Sequence, residues 1–435
     1  MDKKDVHSIC KCQKENKHRS SRFFECIQLL AAFLVPIAIA VYTFVQNDND
    51  QAIALANREK DLEIAQNQRA QDLQIAEDQQ KANILAAYET FLVDHLNRYG
   101  MTLNGSTSAR FVARFKTLTA VNQLDRNRKT YLIRSLFEAK LIVNDYNSND
   151  PKGSGIISLE DADLSEISLA HRTLKYLSLP KTNLTRSLFA DADLSCVNFY
   201  STILIDSDFS NAYILEIKNC FLKSNEYNRT IFTEAIMNNT NLFHADFIFT
   251  DFTQAILVHA NMRYFICIVC LFVNTNMFRA DLSFSRMAMH CNFQLTNLTE
   301  TVLLSASFSE VIFIETIFTR IQTTEIRFEQ CSFSSINFTN CTFDRSLIVQ
   351  SNFSNIYFNN VNLRESIIKN VHFINISMQN TNLSSTIFNQ CIFINVDFND
   401  AILTNVTFHK CIFQSSLIRN KQNLQVTSFN GSIFS

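Results

Sequence analysis

From Leu159 onward one large apolar residue returns at every fifth position. A first run holds Leu159, Leu164, Leu169, Leu174, Leu179, Leu184, Phe189, Leu194, Phe199, Leu204, Phe209 and Ile214. A second starts at Phe232 and keeps phase through Met237, Leu242, Phe247, Phe252, Leu257, Met262, Cys267, Phe272, Met277, Leu282 and Met287. A third runs from Phe293 to Ile418 with Thr323 as its one polar member, and Phe429 and Phe434 close the chain. Two places before the large residue stands a small one, as at Ala162, Ala192, Ala245, Ala280, Cys331, Cys341, Cys391 and Cys411. Between the two, Asp or Asn recurs, as in Ala-Asp-Leu at 162–164 and 280–282. Period five fits neither the 3.6 of a helix nor the 2 of a strand. A chain satisfies it with a short extended piece and a tight turn every five residues. Four such sides close a coil of roughly twenty residues, and stacked coils bond to each other at about the 4.8 Å strand spacing. The large and small residues then both point inward and build one continuous dry core.

Composition agrees. The 435 residues include 39 Phe, no Trp, only 5 Gly and only 3 Pro. Ordinary chains carry roughly 7% Gly and 5% Pro, and sandwiches, barrels and α/β enzymes need them in turns and ligand loops. Something else turns this chain. Such a rod is quasi-one-dimensional, each coil touching only its neighbours, so its ends need caps. Phase breaks mark surface loops: between Ile214 and Phe232 around Ser224–Asn228, a one-residue slip between Met287 and Phe293, and a break over Arg419–Thr427.

The residues before the ladder divide differently. A polar, basic tail (1–22) carries Lys3, Lys4, Lys11, Lys14, Lys17, Arg19 and Arg22. Residues 23–46 form an apolar run interrupted by few polar residues, with Pro36 inside it; the length suits a single-pass transmembrane helix. A buried core helix and a cleaved signal peptide (Ala38-Ile-Ala40 has the small-x-small pattern) are the competing readings. Seven Lys/Arg before the run, against Arg58 and Lys60 after it, place the N-terminus in the cytoplasm by the positive-inside rule. Residues 47–81 read as a helical stalk: Arg58–Gln68 aligns with Arg69–Gln79 at an offset of eleven, with Ile53, Ile64 and Ile75 in one phase and Leu62 and Leu73 in another. That period is close to a straight helix or a slightly right-handed coiled coil. The stalk either self-associates through this stripe or lies on its own domain.

Residues 82–150 read as a small helical domain that caps the ladder, which occupies 155–435. Helices are expected through Ala86–Leu96, Ala109–Leu124 and Arg126–Ile142, with a loop containing Asn104-Gly105 and core residues Leu118, Val121, Leu132, Leu136 and Phe137. Its Arg110, Arg114, Lys116, Arg126, Arg128, Lys129 and Arg134 offer phosphate chemistry, weighed against ordinary solvated helix faces. The boundary falls in Asn144–Gly155, which holds Pro151 and Gly153.

With these motifs quoted, the chain resembles the membrane-anchored pentapeptide-repeat proteins of bacteria and some eukaryotes, whose signature is A(D/N)Lxx. Ile75–Gln80 with Ile84 and Tyr88 resembles the helix that follows their anchor. Ala113–Thr119, Leu124–Lys129 and Leu136–Ile142 resemble their helical domain. The resemblance implies a mainly β fold, a right-handed quadrilateral β-helix preceded by a transmembrane helix, a stalk and a helical cap. It supplies no catalytic, cofactor-binding or metal-binding residues. The Phe-rich, Asn-rich ladder departs from the Leu-rich type.

No Gly-rich phosphate loop, H-E-x-x-H or G-x-S-x-G occurs, so no enzyme is expected and no cofactor is implied. Cys267-Ile-Val-Cys270 has redox spacing, yet both cysteines fall on inward places and read as packed thiols. Cys10 and Cys12 are weak metal or lipid candidates, and Cys26 a palmitoylation candidate. Single inward cysteines lean to a reducing side, against the charge rule, so the side on which the ladder lies stays open. Asn183-Leu-Thr, Asn297-Leu-Thr and Asn405-Val-Thr match glycosylation sequons, but the repeat writes them anyway. The functional expectation is a non-catalytic, membrane-anchored scaffold whose flat faces bind protein partners, with homo-oligomerisation through the stalk or through the uncapped end at Phe434. The alternative is a DNA-mimic regulator of topoisomerase. A net charge of −2 disfavours it, since Arg172, Lys175, Lys181 and Arg186 offset Asp161, Asp163, Asp191 and Asp193, and nucleic acid is an unlikely ligand.

Overall fold

The computed structural model describes residues 5–103, 106–143, 155–214, 229–418 and 427–435, with the side chains of 5–27, 29 and 31 set aside. The basic leader's side chains, Cys10, Cys12, Cys26 and Asn104-Gly105 lie outside the described residues. So do nearly all of the Asn144–Gly155 boundary, of the loop around Ser224–Asn228 and of the 419–427 break. Two compact units emerge, Met1–Gln80 and Lys81–Ser435.

The first unit is a single helix, the greater part of α1 (Asp5–Tyr99). Among the described residues no helix is long and apolar enough to cross a membrane. This overturns the transmembrane helix expected at 23–46, and with it the single-pass topology and the cytoplasmic N-terminus that followed from it. The apolar residues do not form a helix of their own: α1 continues without interruption from Val45 through the polar Gln46-Asn-Asp-Asn-Asp50.

In the second unit, the end of α1 packs with α2 (Thr107–Val121) and α3 (Arg126–Glu138). Ser106 caps α2 by accepting from Ala109 N at 3.2 Å; Asp125 caps α3 by accepting from Asn127 N and Arg128 N at 3.0 and 3.1 Å. Both helices stop short of the expected ends. Asn122 closes α2, and past Ala139 the chain turns through Lys140 at φ 58°. Val121, Leu132 and Leu136 are buried, and Leu118 and Phe137 are partly so. Tyr88 hydroxyl meets Thr117 Oγ1 at 2.7 Å in the interior.

These helices sit on the first coil. Lys129 Nζ donates to Asp163 O at 2.8 Å, Arg114 to Glu160 O at 2.7 Å, and Ser168 N to Thr130 Oγ1 at 3.0 Å. Ile157 N and Ser178 N donate to Leu141 O and Ile142 O. Backbone groups that an open coil end would leave unpaired are thereby satisfied.

From there to the C-terminus the chain is a β-solenoid. Parallel partners lie one coil apart: Phe247 beside Cys267, Phe338 beside Phe358, Phe388 beside Phe408. Two sheets of nine strands each run along it, and isolated parallel bridges carry the same pairing back to Asp163–Asn183. The slip appears as Arg286 pairing with Ser307, one residue longer than its neighbours. Ile203 pairs with Ile231 across the first loop.

What turns the chain is now visible. The second residue after each large apolar one has positive φ, from Asp161 (66°) to Ser415 (51°), and none of these is Gly. A left-handed conformation costs an L-residue roughly 1–2 kcal/mol. Each such corner is held by ladder hydrogen bonds from the next coil, as when Arg186 N donates to Ile205 O at 2.8 Å.

Candidate interaction faces and the cysteine column

Each coil offers four faces. On every face the central residue is inward and its two neighbours point out. The inward places are closed to ligands. One column holds Phe in consecutive coils from Phe232 through Phe252, Phe272, Phe293, Phe313, Phe333, Phe353, Phe373, Phe393 and Phe413 to Phe434, with centroids 4.4–5.2 Å apart where they stack. The space left among Phe328, Phe333, Phe353 and their neighbours is about 10 Å³, no larger than one water requires. Thr323, the polar exception, donates to Leu303 O at 2.8 Å and so sits satisfied in the core.

Outward places differ along the rod. Near the cap they are polar and paired. Asn183 Nδ2 donates to Asp163 Oδ1 at 3.0 Å; Lys181 meets Glu160, Arg186 meets Glu166, Lys175 meets Asp193, and His171 lies 3.2 Å from Asp191. Burial pushes Asp163 and Asp193 up. Bonds from Ser165 and Ser195, with Lys129 and Lys175 alongside, outweigh it and hold both carboxyls below the usual value. Midway, an exposed corner stacks His244 on Tyr264 at 4.7 Å and Tyr264 on Phe284 at 5.0 Å, with Arg263 over Phe284. Nearer the C-terminus two outward rows are aliphatic. Leu347, Ile367 and Ile387 stand in register on one face, and Ile392, Ile412 and Ile433 on the next. Ile367 and Ile387 are 47% and 43% exposed, Ile412 and Ile433 40% and 60%. Sequence reading named no residue of these rows, although they are the places just before the ladder residue.

The basic residues of the helical domain divide in the same way. Arg114, Arg128 and Lys129 are engaged with Asp161, Asp125 and Asp163, and Lys116 lies over Phe91. Arg110 Nε and Arg134 Nε are buried without a hydrogen-bond partner. Of the sequon asparagines, Asn183 and Asn297 donate to Asp163 and Asn276, and Asn405 occupies a positive-φ corner.

The cysteines are not scattered. Cys270, Cys291, Cys331, Cys391 and Cys411 recur at one corner, on the small inward place before the Phe column, and Cys331, Cys391 and Cys411 each sit beneath a carbonyl of the preceding coil. Cys267 and Cys270 are buried as expected but joined in a disulfide, which corrects the reading of both as packed thiols. Their side chains converge across one corner, Cα atoms 6.0 Å apart, which a two-residue spacing on inward places brings about. Cys196 is disulfide-bonded as well. Burial pushes Cys331 up to about 12 and Cys341 up to about 11, so both are inert thiols at neutral pH.

Comparison with known proteins follows the repeat. The family described as Pentapeptide repeats matches with eight copies, over residues 182–214, 228–258 and 376–414. No match was found among the curated proteins. Among solved structures the chain is similar to HetL, a pentapeptide repeat protein involved in heterocyst differentiation regulation from Nostoc sp. strain PCC 7120, at 15% identity, covering 59% of this chain and 91% of that one with a TM-score of 0.24. It is similar to QnrB1, a plasmid-mediated fluoroquinolone resistance protein, at 16% identity over 47% and 85% with a TM-score of 0.23. It is similar too to a pentapeptide repeat protein of the Arabidopsis thaliana thylakoid lumen, at 18% identity over 33% and 68% with a TM-score of 0.11. The three matched stretches carry pentapeptide repeats, and the coils to either side of them continue on the same five-residue period.

Proposed function

We propose that the solenoid is a non-catalytic scaffold whose C-terminal faces bind a protein partner. The observation that carries this reading is the pair of aliphatic rows, Leu347–Ile367–Ile387 and Ile392–Ile412–Ile433, spaced by one coil on adjoining faces. Isolated exposed aliphatics are ordinary, but in-register rows of them on a flat face are the form that protein interfaces take. Affinity capture from lysate with the full chain, compared with the Ile367→Asp/Ile387→Asp variant, tests it. The outward places tolerate charge, so the variant folds. Retention of a specific protein should fall at least about tenfold, and equal capture by both chains would overturn the reading.

A DNA-mimic role needs an acidic rod, and here the acids near the cap are neutralised by Lys175, Lys181 and Arg186; that alternative is not favoured. Self-association has a specific support in α1. Leu62, Leu73, Ile64 and Ile75 are exposed in the first unit, and Leu73 is 72% so. An exposed helix gains most of its stability from burying such a stripe. Light scattering should return an oligomer that the Leu62→Gln/Leu73→Gln variant reduces; a monodisperse monomer in the wild type removes this reading, and an oligomer insensitive to the variant moves the contact to the end at Phe434.

A further inference from the structure

Three cysteines share one corner of the solenoid across adjoining coils, and only two of them are bonded. Cys267 and Cys270 form a disulfide within one coil, while Cys291, in the next coil, is a free thiol. All three are fully buried. Cys270 and Cys291 occupy the same place in adjoining coils: Asn292 N donates to Cys270 O at 3.0 Å, and Cys270 N donates to Cys291 Sγ at 3.3 Å. The Cys291 thiol donates to Ala288 O at 3.1 Å and lies 3.5 Å from Cys267 O. Neighbouring parallel strands lie about 4.8 Å apart, inside the Cα range a disulfide spans. Just before Cys291 the coil holds its extra residue, with Met289 and His290 both at positive φ (55° and 64°), a doubled corner found nowhere else among the described residues.

We infer that Cys267, Cys270 and Cys291 form a disulfide-exchange centre, in which the bond isomerises between Cys267–Cys270 within a coil and Cys270–Cys291 between coils. Burial pushes the Cys291 thiol up, so its proton leaves only to solvent hydroxide when the corner opens, and the sulfur then attacks Cys270 Sγ. The new sulfur–sulfur bond forms as the Cys267–Cys270 bond breaks, and the electron pair leaves on Cys267, which takes up a proton. One thiol and one disulfide enter and leave, so no oxidant is consumed. The first pairing pins a corner; the second staples two coils at the place where the coil length changes. Cys391 and Cys411 stand in the same column one coil apart, both free, with Ile412 N donating to Cys391 O at 2.9 Å. They have no disulfide partner to exchange with and serve as the internal control.

The test is a disulfide map of the full-length folded protein. It is held at neutral pH without oxidant, quenched in acid, alkylated with N-ethylmaleimide while acidic, and then digested with trypsin. Cys267 and Cys270 share the peptide 264–279, and Cys291 lies in 287–320, so the exchanged bond links two peptides. The cross-linked pair, with Cys267 alkylated in the same species, is expected in the wild type at least about tenfold above the level in Cys291→Ser. Cys391 and Cys411, in peptides 370–410 and 411–419, should remain alkylated. A wild type that yields only the internal 264–279 disulfide with Cys291 alkylated overturns the inference. So does equal cross-linking of 370–410 to 411–419, because that marks indiscriminate oxidation. Both of these readouts come from the wild-type chain, so they hold even where the variant misfolds.

Discussion

The first coils after the cap and the last ones before the C-terminus obey the same period by different means. In the early coils the place before the ladder residue is often Asp or Asn, and its side-chain oxygen accepts from the backbone two residues on. Asp163 takes Ser165 N, Asn183 takes Thr185 N, Asp193 takes Ser195 N and Asp208 takes Ser210 N, all at 2.8–3.1 Å. That bond closes a local turn, and the coil shows bridges and turns rather than strands. Between Ser307 and Tyr357 the same place holds Ser, Ile, Gln, Arg, Thr, Leu or Tyr, with Asn only at 337 and 352, and strands, most of three residues, form instead. The inward column has changed earlier, from Leu164, Leu184 and Leu204 to unbroken Phe from Phe232 on. Early coils are thus held corner by corner through side-chain caps and ion pairs, and late coils coil by coil through aromatic stacking.

The sharpest way to break this contrast is to remove one inward residue from each region. Phe333 stacks on Phe313 at 4.8 Å and Phe353 at 4.4 Å, with Phe328 edge-on. Phe333→Ala should cost about 3–5 kcal/mol, and Leu184→Ala should fall lower within the ~2–5 kcal/mol range of Leu deletions. Denaturant unfolding followed by circular dichroism measures both. Equal losses would mean that aromatic stacking adds nothing beyond buried volume.

The caps give the next effect. Asp193→Ala removes the acceptor of Ser195 N and the partner of Lys175, at a cost of about 1–2 kcal/mol. Ser332→Ala, at the equivalent place in a late coil, should stay within about 0.5 kcal/mol. Acid should separate the regions in the same sense. Asp163 and Asp193 have folded pKa values below the ordinary one, so their contribution is present at neutral pH and fades as pH falls through the usual carboxylate range towards the lowered values. Asp344 is pushed up by burial, more than Arg364 beside it brings it down, so acidification relieves it. Hydrogen exchange corrected for intrinsic rate should therefore show residues 164–214 opening between about pH 5 and pH 3 while 328–373 hold. Simultaneous opening would show that the solenoid unfolds as one unit.

How much of this is legible in the sequence depends on where the signal sits. The inward ladder is written in residue type at fixed spacing, so period, coil length, the slip near Met287 and the inward place of Thr323 follow from elementary sterics. The outward rows at Ile367 and Ile412 carry no such marker, because adjacency in a row appears only once coils are stacked in register. The disulfide is hidden for a related reason: the ladder places Cys267 and Cys270 inward, but inward places on either side of a corner converge, and spacing alone does not say so. The apolar run at 23–46 misleads in the opposite direction: its composition suits a span, while among the described residues no helix is long and apolar enough to cross a membrane. The left-handed corners do leave a trace. The chain is rich in Ile and Thr, yet among the described corners only Val269 is β-branched.

That exception is the finest test of the contrast. Val269 holds φ 56° between Cys267 and Cys270, a conformation that crowds a branched Cβ against its own carbonyl. Asn tolerates it, as Asn355, Asn375 and Asn395 show by linking their side-chain amides in a ladder at 3.0 Å along another corner. Val269→Asn should therefore stabilise the oxidised protein by about 1 kcal/mol, read as a higher denaturation midpoint at unchanged slope. If corners were held by stacking with the neighbouring coil rather than by their own backbone preference, the midpoint would fall instead, because Asn puts a polar residue between Phe249 and Met289, the same corner in the adjoining coils. The sign of a small shift thus decides which of the two modes governs the coil in which the early and late regions meet.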